Sequence, residues 1–596
     1  MAPRTLVDIF RNLSAFQKPD LLLFKKDGAW HPVSTKEFIE RVQALAAALE
    51  GLGVKTGDRV ALLSENRPEW AITDFACQCY GAILVPVFPT MVSEQAEYLL
   101  RDSGSVVAFC SNAVQAQKVL DARRTCPALK NVVLFDEAVV KGTQPFDEVL
   151  VEGRKAHAAD PAAFDRRADA RKPDDLATLI YTSGTTGEPK GAMLLQSNFV
   201  SNVLATADLL PLPPTTVALS FLPLSHVLER MVEYLYFHDG VTIAYAESID
   251  KLKDNLGEVN PHIFAAVPRV YEKVYGRVLD NVSKAPAGRQ KLFWKALDVG
   301  KRVLALRAQK KTPDVVLALQ HFILDRLVLH KIRAALGSRF RYSISGGAPL
   351  AKDLAEFFWS AGVEVFEGYG LTETSPVIAV NYPGAWRLGT VGRIIPGVEC
   401  KIAPDGEILT RGPHVMKGYF NKPDATKEAI DADGWFHTGD IGRIDADGFL
   451  AITDRKKELI VNANGKNIAP APIEGFLKSN PFISLPVVLG DRRRYLSCLI
   501  IPNFEKLKEW AGKNGLGSLS FESLAEEPRV KDLYQKAIDE WNAGKSHEQQ
   551  IVKFAILPAD LTIEGGELTP TLKVKRRIID QKYKTVIDTL YAESAG

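Results

Sequence analysis

Between residues 57 and 111 the chain reads as short β-rich runs separated by helical ones: DRVALLSEN, RPEWAITDFACQCYGA, ILVPVF, VSEQAEYLLRDSG and SVVAFCS. Strands that alternate with helices of this length are joined by crossovers and lie parallel in one sheet. The rhythm returns at VALSFLPL, VTIAYAES, HIFAAVPRV and RYSISGG, which predicts an α/β body of more than one sheet layer. With 596 residues the chain is too long for one compact core, and 46% hydrophobic against 24% charged residues is enough apolar material for several.

Glycine and aspartate become dense around 386–450 (APDGE, DADGWFHTGD, DADGF), which marks hairpin turns. After DRKKE the pattern restarts with a hairpin in ELIVNANGKNIA, a helix in PAPIEGFLKSN and strands in LPVVLGD and LSCLIIPN. The boundary therefore falls at 454–457. It divides a large, multi-layer N-terminal α/β domain over 1–454 from a smaller, mobile C-terminal α+β domain over 455–596. Residues 280–338 read as a pair of surface helices with Lys and Arg between apolar positions; a membrane- or partner-facing role is the alternative.

Net charge is +2, too small to favour nucleic acid or an anionic membrane through a long-range field. The six cysteines (Cys77, Cys79, Cys110, Cys126, Cys400, Cys498) fit buried thiols better than a disulfide framework or a zinc site. The segment MAPRTLVDIFRNLSAF lacks the apolar core of a signal peptide, and no run approaches ~20 apolar residues. The expectation is a cytoplasmic protein without a nucleic-acid partner, with peripheral contact at the inner face of a membrane left open. Oligomeric state is not legible.

The loop YTSGTTGEPKG at 181–191 follows the apolar run LATLI. Gly184, Gly187 and Gly191 let backbone amides approach an anion, Ser183, Thr185 and Thr186 add hydroxyls, and Lys190 adds a positive charge. A Walker loop needs four residues between its first glycine and its Gly-Lys pair; here two residues separate Gly184 from Gly187, so the spacing rejects a P-loop NTPase. In EGYGLTETSP, Tyr369 can stack on a purine, Thr372 can bond a phosphate oxygen, and Glu373 can hold Mg²⁺. SGGAPL offers bare backbone to a flat ring at Gly346 and Gly347, and WFHTGD places Asp440 where a carboxylate can accept ribose hydroxyls.

Taken in order, YTSGTTGEPKG, GYGLTET, WFHTGDIG and DRKKELIVNANGKNIAP resemble the adenylate-forming superfamily of acyl-CoA synthetases, peptide-synthetase adenylation domains and luciferases, from about residue 30 to the C-terminus. FLPLSHVLERMVEYLYFHDGVTIAYAESIDKL and PHIFAAVPRVYEKVY resemble the long-chain fatty acyl-CoA synthetases in particular. The resemblance implies a ligase that uses ATP, Mg²⁺ and coenzyme A to turn a long-chain fatty acid into its thioester through an acyl-adenylate. Thr372 and Glu373 would serve the α-phosphate and the metal. Tyr369, Gly346, Gly347, Ala348, Glu367 and Gly368 would frame adenine, and Asp440 with Arg455 would hold ribose. Lys190, Thr182 and the 183–187 loop would grip the departing phosphates.

The resemblance also makes Lys457 the hinge and His226 a neighbour of the acyl carboxylate. Lys573, in ELTPTLKVKRRII, becomes the catalytic lysine. Leucine precedes it where the motif usually has glycine, and Lys575 is the alternative on the same side of a β-like segment. His437 reads as structural, and Met231, Tyr234 and Leu235 border a candidate acyl tunnel. Two other functions compete: an acyl-AMP ligase that loads a carrier protein, and a catalytically silent nucleotide-binding partner. A kinase would release ADP rather than AMP and pyrophosphate.

Overall fold

The computed structural model describes residues 2–182, 188–463, 466–569 and 573–592. Two large sheets form the body. In the first, strands Leu176–Thr182, Ile83–Val87, Arg59–Leu63, Val107–Cys110 and Asn131–Leu134 run parallel, and Lys190–Leu195 folds back antiparallel beside Leu176–Thr182. All five residues of Ile83–Val87 are buried, the continuous apolar run expected of a parallel strand covered on both faces. Period-two alternation assigns the faces: Val60 and Leu62 join one apolar cluster, Ala61 and Leu63 another.

The second sheet has nine strands, with a parallel centre formed by Val217–Ser220, Thr242–Tyr245, Ile263–Ala266, Tyr342–Ser345 and Glu364–Gly370. Helices Pro68–Tyr80, Gln196–Leu209 and Val227–Asp239 contribute to the one large cluster that joins the two sheets. At its centre Arg230 is fully buried. Its guanidinium donates to both carboxylate oxygens of Asp74 at 2.6 and 2.9 Å and to the Thr178 hydroxyl at 2.8 Å, while the Tyr234 hydroxyl donates to Asp74 at 2.6 Å. Burial pushes the guanidinium pKa down, but Asp74 more than offsets it, so the group stays charged.

The expected pair of helices over 280–338 is larger in the structure. Helix Pro268–Ser283 precedes Ala287–Ala308, which packs against Val315–Leu324; that helix continues through a π-turn, Asp325–Leu329, into His330–Ala334. A four-stranded antiparallel sheet over 399–455 follows, where the glycine–aspartate turns predict hairpins. Its last strand, Leu450–Arg455, runs one residue past the boundary placed at 454.

Beyond it, strands Ile483–Leu489, Leu496–Pro502 and Ile551–Ile556 form a sheet with its own apolar clusters on both faces. This smaller unit meets the body along helix Pro268–Ser283. Arg269 donates to the Ser484 carbonyl and hydroxyl at 3.1 and 3.2 Å, Glu272 pairs with Lys478 at 3.1 Å, and Asp280 pairs with Lys506 at 3.1 Å. No helix among the described residues is long and apolar enough to cross a membrane.

Candidate active site

Strand ends supply the site. Thr182 closes one strand of the first sheet and Lys190 opens the next, in register with it. Residues 345–347 leave the strand Tyr342–Ser345 of the second sheet, and Gly347 has φ +79°, a left-handed conformation that favours glycine. A Cβ on Gly346 would stand 2.9 Å from Leu228, so bare backbone faces the start of helix Val227–Asp239, while Ala348 is exposed. The next strand carries Glu367, Gly368 and Tyr369 and leads into the short 3-10 turn Thr372–Thr374.

Glu373 is nearly buried, and among the described residues its side-chain hydrogen bonds all go to Oε1: the Tyr419 hydroxyl donates at 2.8 Å and the Thr182 hydroxyl at 3.4 Å. The Lys190 ammonium lies 5.1 Å from the centre of the Tyr419 ring. Strand Gly418–Tyr419 adds to the edge of Lys190–Leu195, which places Tyr419 over the lysine and beside the carboxylate. No local motif marks Tyr419, because its contacts arise from this short edge pairing.

Asp440 and Arg455 are fifteen residues apart, but the antiparallel register makes them direct cross-strand partners. The Arg455 Nε donates to Asp440 Oδ1 at 3.1 Å and the Tyr369 hydroxyl donates to Oδ2 at 2.6 Å. Burial raises the Asp440 carboxyl, with Arg455 and Tyr369 opposing the rise. Tyr369 is thus tied edge-on to the carboxylate in addition to presenting a ring. Glu407, also absent from the sequence reading, braces this turn: it accepts from the Gly439 amide at 2.9 Å and from Lys456 at 2.8 Å, and His437 stands 3.4 Å away. The structural reading of His437 agrees with this placement.

His226 caps helix Val227–Asp239, its Nδ1 accepting from the Leu228 amide at 3.2 Å. Loss of hydration, with Lys573 close by, pushes its pKa down to about 4, so the ring is neutral at pH 7. Lys573 comes from the C-terminal unit. The residue is exposed as a whole, and its ammonium stands close enough to Arg455, Asp440, Glu458 and Glu373 for their charges to act on it. Low hydration and then Arg455 lower its pKa, and Asp440, Glu458 and Glu373 act in the opposite direction. Lys575 instead heads helix Arg576–Lys582, its amide donating to the Glu567 carbonyl at 2.8 Å.

The structure therefore brings Thr182, Lys190, His226, Glu373, Tyr369, Asp440, Arg455 and Lys573 around one cleft. Ser183, Gly184, Thr185, Thr186 and Gly187 lie outside the described residues. Thr372 opens the turn beside Glu373, and Lys457 sits exposed in the turn after Arg455. Glu367 is buried and pushed up to about 8, with the Leu350 amide as its partner. Met231, Tyr234 and Leu235 are all buried, and the Tyr234 hydroxyl is committed to the Arg230–Asp74 pair.

Two ammonium groups, a guanidinium and two carboxylates in one region are a set of charges able to neutralise anionic reactants. A family model described as AMP-binding enzyme matches residues 13–420, and one described as AMP-binding enzyme C-terminal domain matches 457–595. The long-chain-fatty-acid–CoA ligase FadD15 of Mycobacterium bovis is 40% identical over 96% of this chain and 95% of its own. The long-chain-fatty-acid–CoA ligase ACSBG2 of Xenopus laevis is 32% identical over 96% and 82%. Among solved structures, the anthranilate CoA ligase AuaEII in complex with anthranoyl-AMP aligns with a TM-score of 0.74 at 18% identity, covering 98% of both chains. ATP-bound MatB from Rhodopseudomonas palustris aligns at 0.70 and 22% identity over 97% and 99%. At these identities the structures establish the shared fold.

Proposed function

The chain belongs to the AMP-binding enzyme family, and from that premise we propose that it is an AMP-forming long-chain fatty acid–CoA ligase. The observation that carries the reading is the 40% identity to a ligase of that name across 96% of the chain. The convergence of Glu373, Asp440, Arg455 and Lys573 supports it with chemistry.

A fatty carboxylate oxygen attacks the α-phosphorus of ATP, the bond to pyrophosphate breaks, and an acyl-adenylate forms. The thiol of coenzyme A then attacks the acyl carbon and AMP leaves. No protein nucleophile is needed, only alignment and charge neutralisation. Asp440 receives the ribose hydroxyls, Tyr369 and the 346–348 backbone receive adenine, and Lys190 receives the departing phosphates. Lys573 neutralises the oxygens between carboxylate and α-phosphate, and neutral His226 orients the acyl carboxylate. Glu373 fits Mg²⁺, because one carboxylate oxygen is already fixed by Tyr419 and Thr182 and the ion is commonly held by one or two carboxylates plus substrate phosphates. Bound there, Mg²⁺ supplies charge screening at the phosphates.

Lys457 acts as the hinge on which the 455–596 domain turns between the two half-reactions. A long-chain fatty acid resides largely in lipid, so contact with membranes is peripheral.

A panel of fatty acids from C6 to C20, scored by release of pyrophosphate and AMP, tests the substrate class; highest turnover on the shortest acids would overturn it. With CoA omitted, a ligase of this kind holds its acyl-adenylate until CoA is added. Transfer to a carrier-protein thiol with no response to CoA would show an acyl-AMP ligase instead.

A further inference from the structure

The helix Val315–Leu324 and its continuation to 334 are apolar on two opposite sides. Inward, Leu317, Leu324, Leu329 and Ile332 are buried. Outward, Val315, Val316, Leu319, Phe322, Ile323 and Leu327 face solvent, with Val315, Phe322 and Leu319 exposed by 84%, 63% and 58%. A helix apolar all round normally lies inside a protein, and contiguous exposed apolar surface marks an interaction site. Among the described residues, seven of the fifteen exposed large hydrophobic residues fall in this hairpin; the seventh, Trp294 on helix Ala287–Ala308, is a residue suited to a membrane–water interface.

Charge identifies the partner. Residues 284–333 hold twelve Lys and Arg against three Asp, a net +9 in a chain whose total is +2. Lys291, Lys295, Lys310, Lys311, Arg326 and Lys331 are exposed, and none is in an ion pair among the described residues. A second copy of the chain is a poor occupant, because a two-fold interface would set +9 against +9. The platform is firmly seated: a Cβ on Gly300 would lie 2.2 Å from the Ser360 carbonyl oxygen, so helix Ala287–Ala308 rests directly on the backbone of helix Lys352–Ser360.

We infer that the hairpin 287–334 is the surface on which the protein rests on an anionic lipid bilayer. The stripe from Val315 to Leu327 lies at the headgroup–acyl boundary and the lysines lie against lipid phosphates. Its service to the reaction, capture of fatty acid from the bilayer, rests on the ligase reading; the lipid binding does not.

Co-sedimentation with vesicles of phosphatidylcholine alone and of phosphatidylcholine with 30% phosphatidylglycerol tests it. The expected result is partition at least ten-fold stronger to the anionic vesicles. Leu319→Glu/Phe322→Glu should weaken that partition at least ten-fold, and Lys310→Ala/Lys311→Ala should weaken it roughly five-fold per charge, both at unchanged thermal midpoints. Equal binding to the two vesicle types, no binding to either, or wild-type binding by the Glu variant would overturn the proposal. So would a concentration-dependent dimer that the Glu variant abolishes, since the stripe would then join two copies. Vesicle binding without any ligase activity would count against the ligase reading and leave this surface standing.

Discussion

Lys573 reaches the cleft with its ammonium weakened by low hydration and by Arg455, and strengthened by three carboxylates. Those opposing influences make it a charge poised for an incoming anion. Lys573→Ala should lower adenylation by ~10²–10³-fold, the scale of one preorganised charge contact, and leave thioester formation from supplied acyl-adenylate near wild type; Lys575→Ala should do little to either, and equal losses in both half-reactions would refute the assignment. Tyr419→Phe removes the hydroxyl that donates to Glu373. Adenylation should fall by roughly ten-fold, the scale of a hydrogen bond to a charged group, with the Mg²⁺ requirement shifted to higher concentration; an unchanged Mg²⁺ titration would refute the role. Glu229, buried on the His226 helix with one oxygen lacking a hydrogen-bond partner among the described residues, is pushed up to about 8 by burial. The native state keeps a proton that the unfolded chain has lost above its usual carboxylate value near 4.5. Stability therefore declines as pH rises from about 4.5 to about 8, by a few kcal/mol at ~1.4 kcal/mol per unit. Glu229→Gln should flatten that decline in denaturant midpoints measured across this range, and a slope equal to wild type would show that another group titrates.

The elements were legible where period and punctuation agree. Strand and helix alternation locates the parallel strands of both sheets, and the glycine–aspartate turns locate the hairpins of 399–455. What local pattern does not carry is pairing at a distance. Arg455 meets Asp440 through strand register, and Tyr419 meets Glu373 through a two-residue edge strand, so neither contact has a sequence period to announce it. Tyr234 is a further case: helical spacing places it on one face of its helix, but nothing local announces that its hydroxyl donates to Asp74, 160 positions away. The Arg230–Asp74 pair joins helix Val227–Asp239, helix Pro68–Tyr80 and, through Thr178, strand Leu176–Thr182. Breaking it with Asp74→Ala should cost ~3–5 kcal/mol, because an unpaired guanidinium stays buried. Denaturant unfolding measures the loss; a change below ~1 kcal/mol would show that water reaches Arg230.

At the scale of the molecule, three polar contacts fasten the small unit to helix Pro268–Ser283: Arg269 to Ser484, Glu272 to Lys478 and Asp280 to Lys506. They belong to the arrangement that puts Lys573 in the cleft. Lys478→Glu/Lys506→Glu should therefore slow pyrophosphate exchange several-fold relative to thioester formation from supplied acyl-adenylate, with the deficit shrinking in ~1 M salt as screening shortens to ~3 Å; a salt-independent deficit would point to misfolding instead. The family resemblance implies a role for a C-terminal lysine, but the fastening surfaces carry no motif, being complementary polar and charged groups on two units. The hairpin's charge has a different reach. With +9 on residues 284–333 of a chain totalling +2, the remainder carries −7, so charge is unevenly divided despite the near-neutral sum. In front of a negative sheet of charge such a body turns before it touches, basic end first. Collisions are thereby sorted by orientation, and ionic strength controls the rate of productive arrival as well as the strength of the final seat.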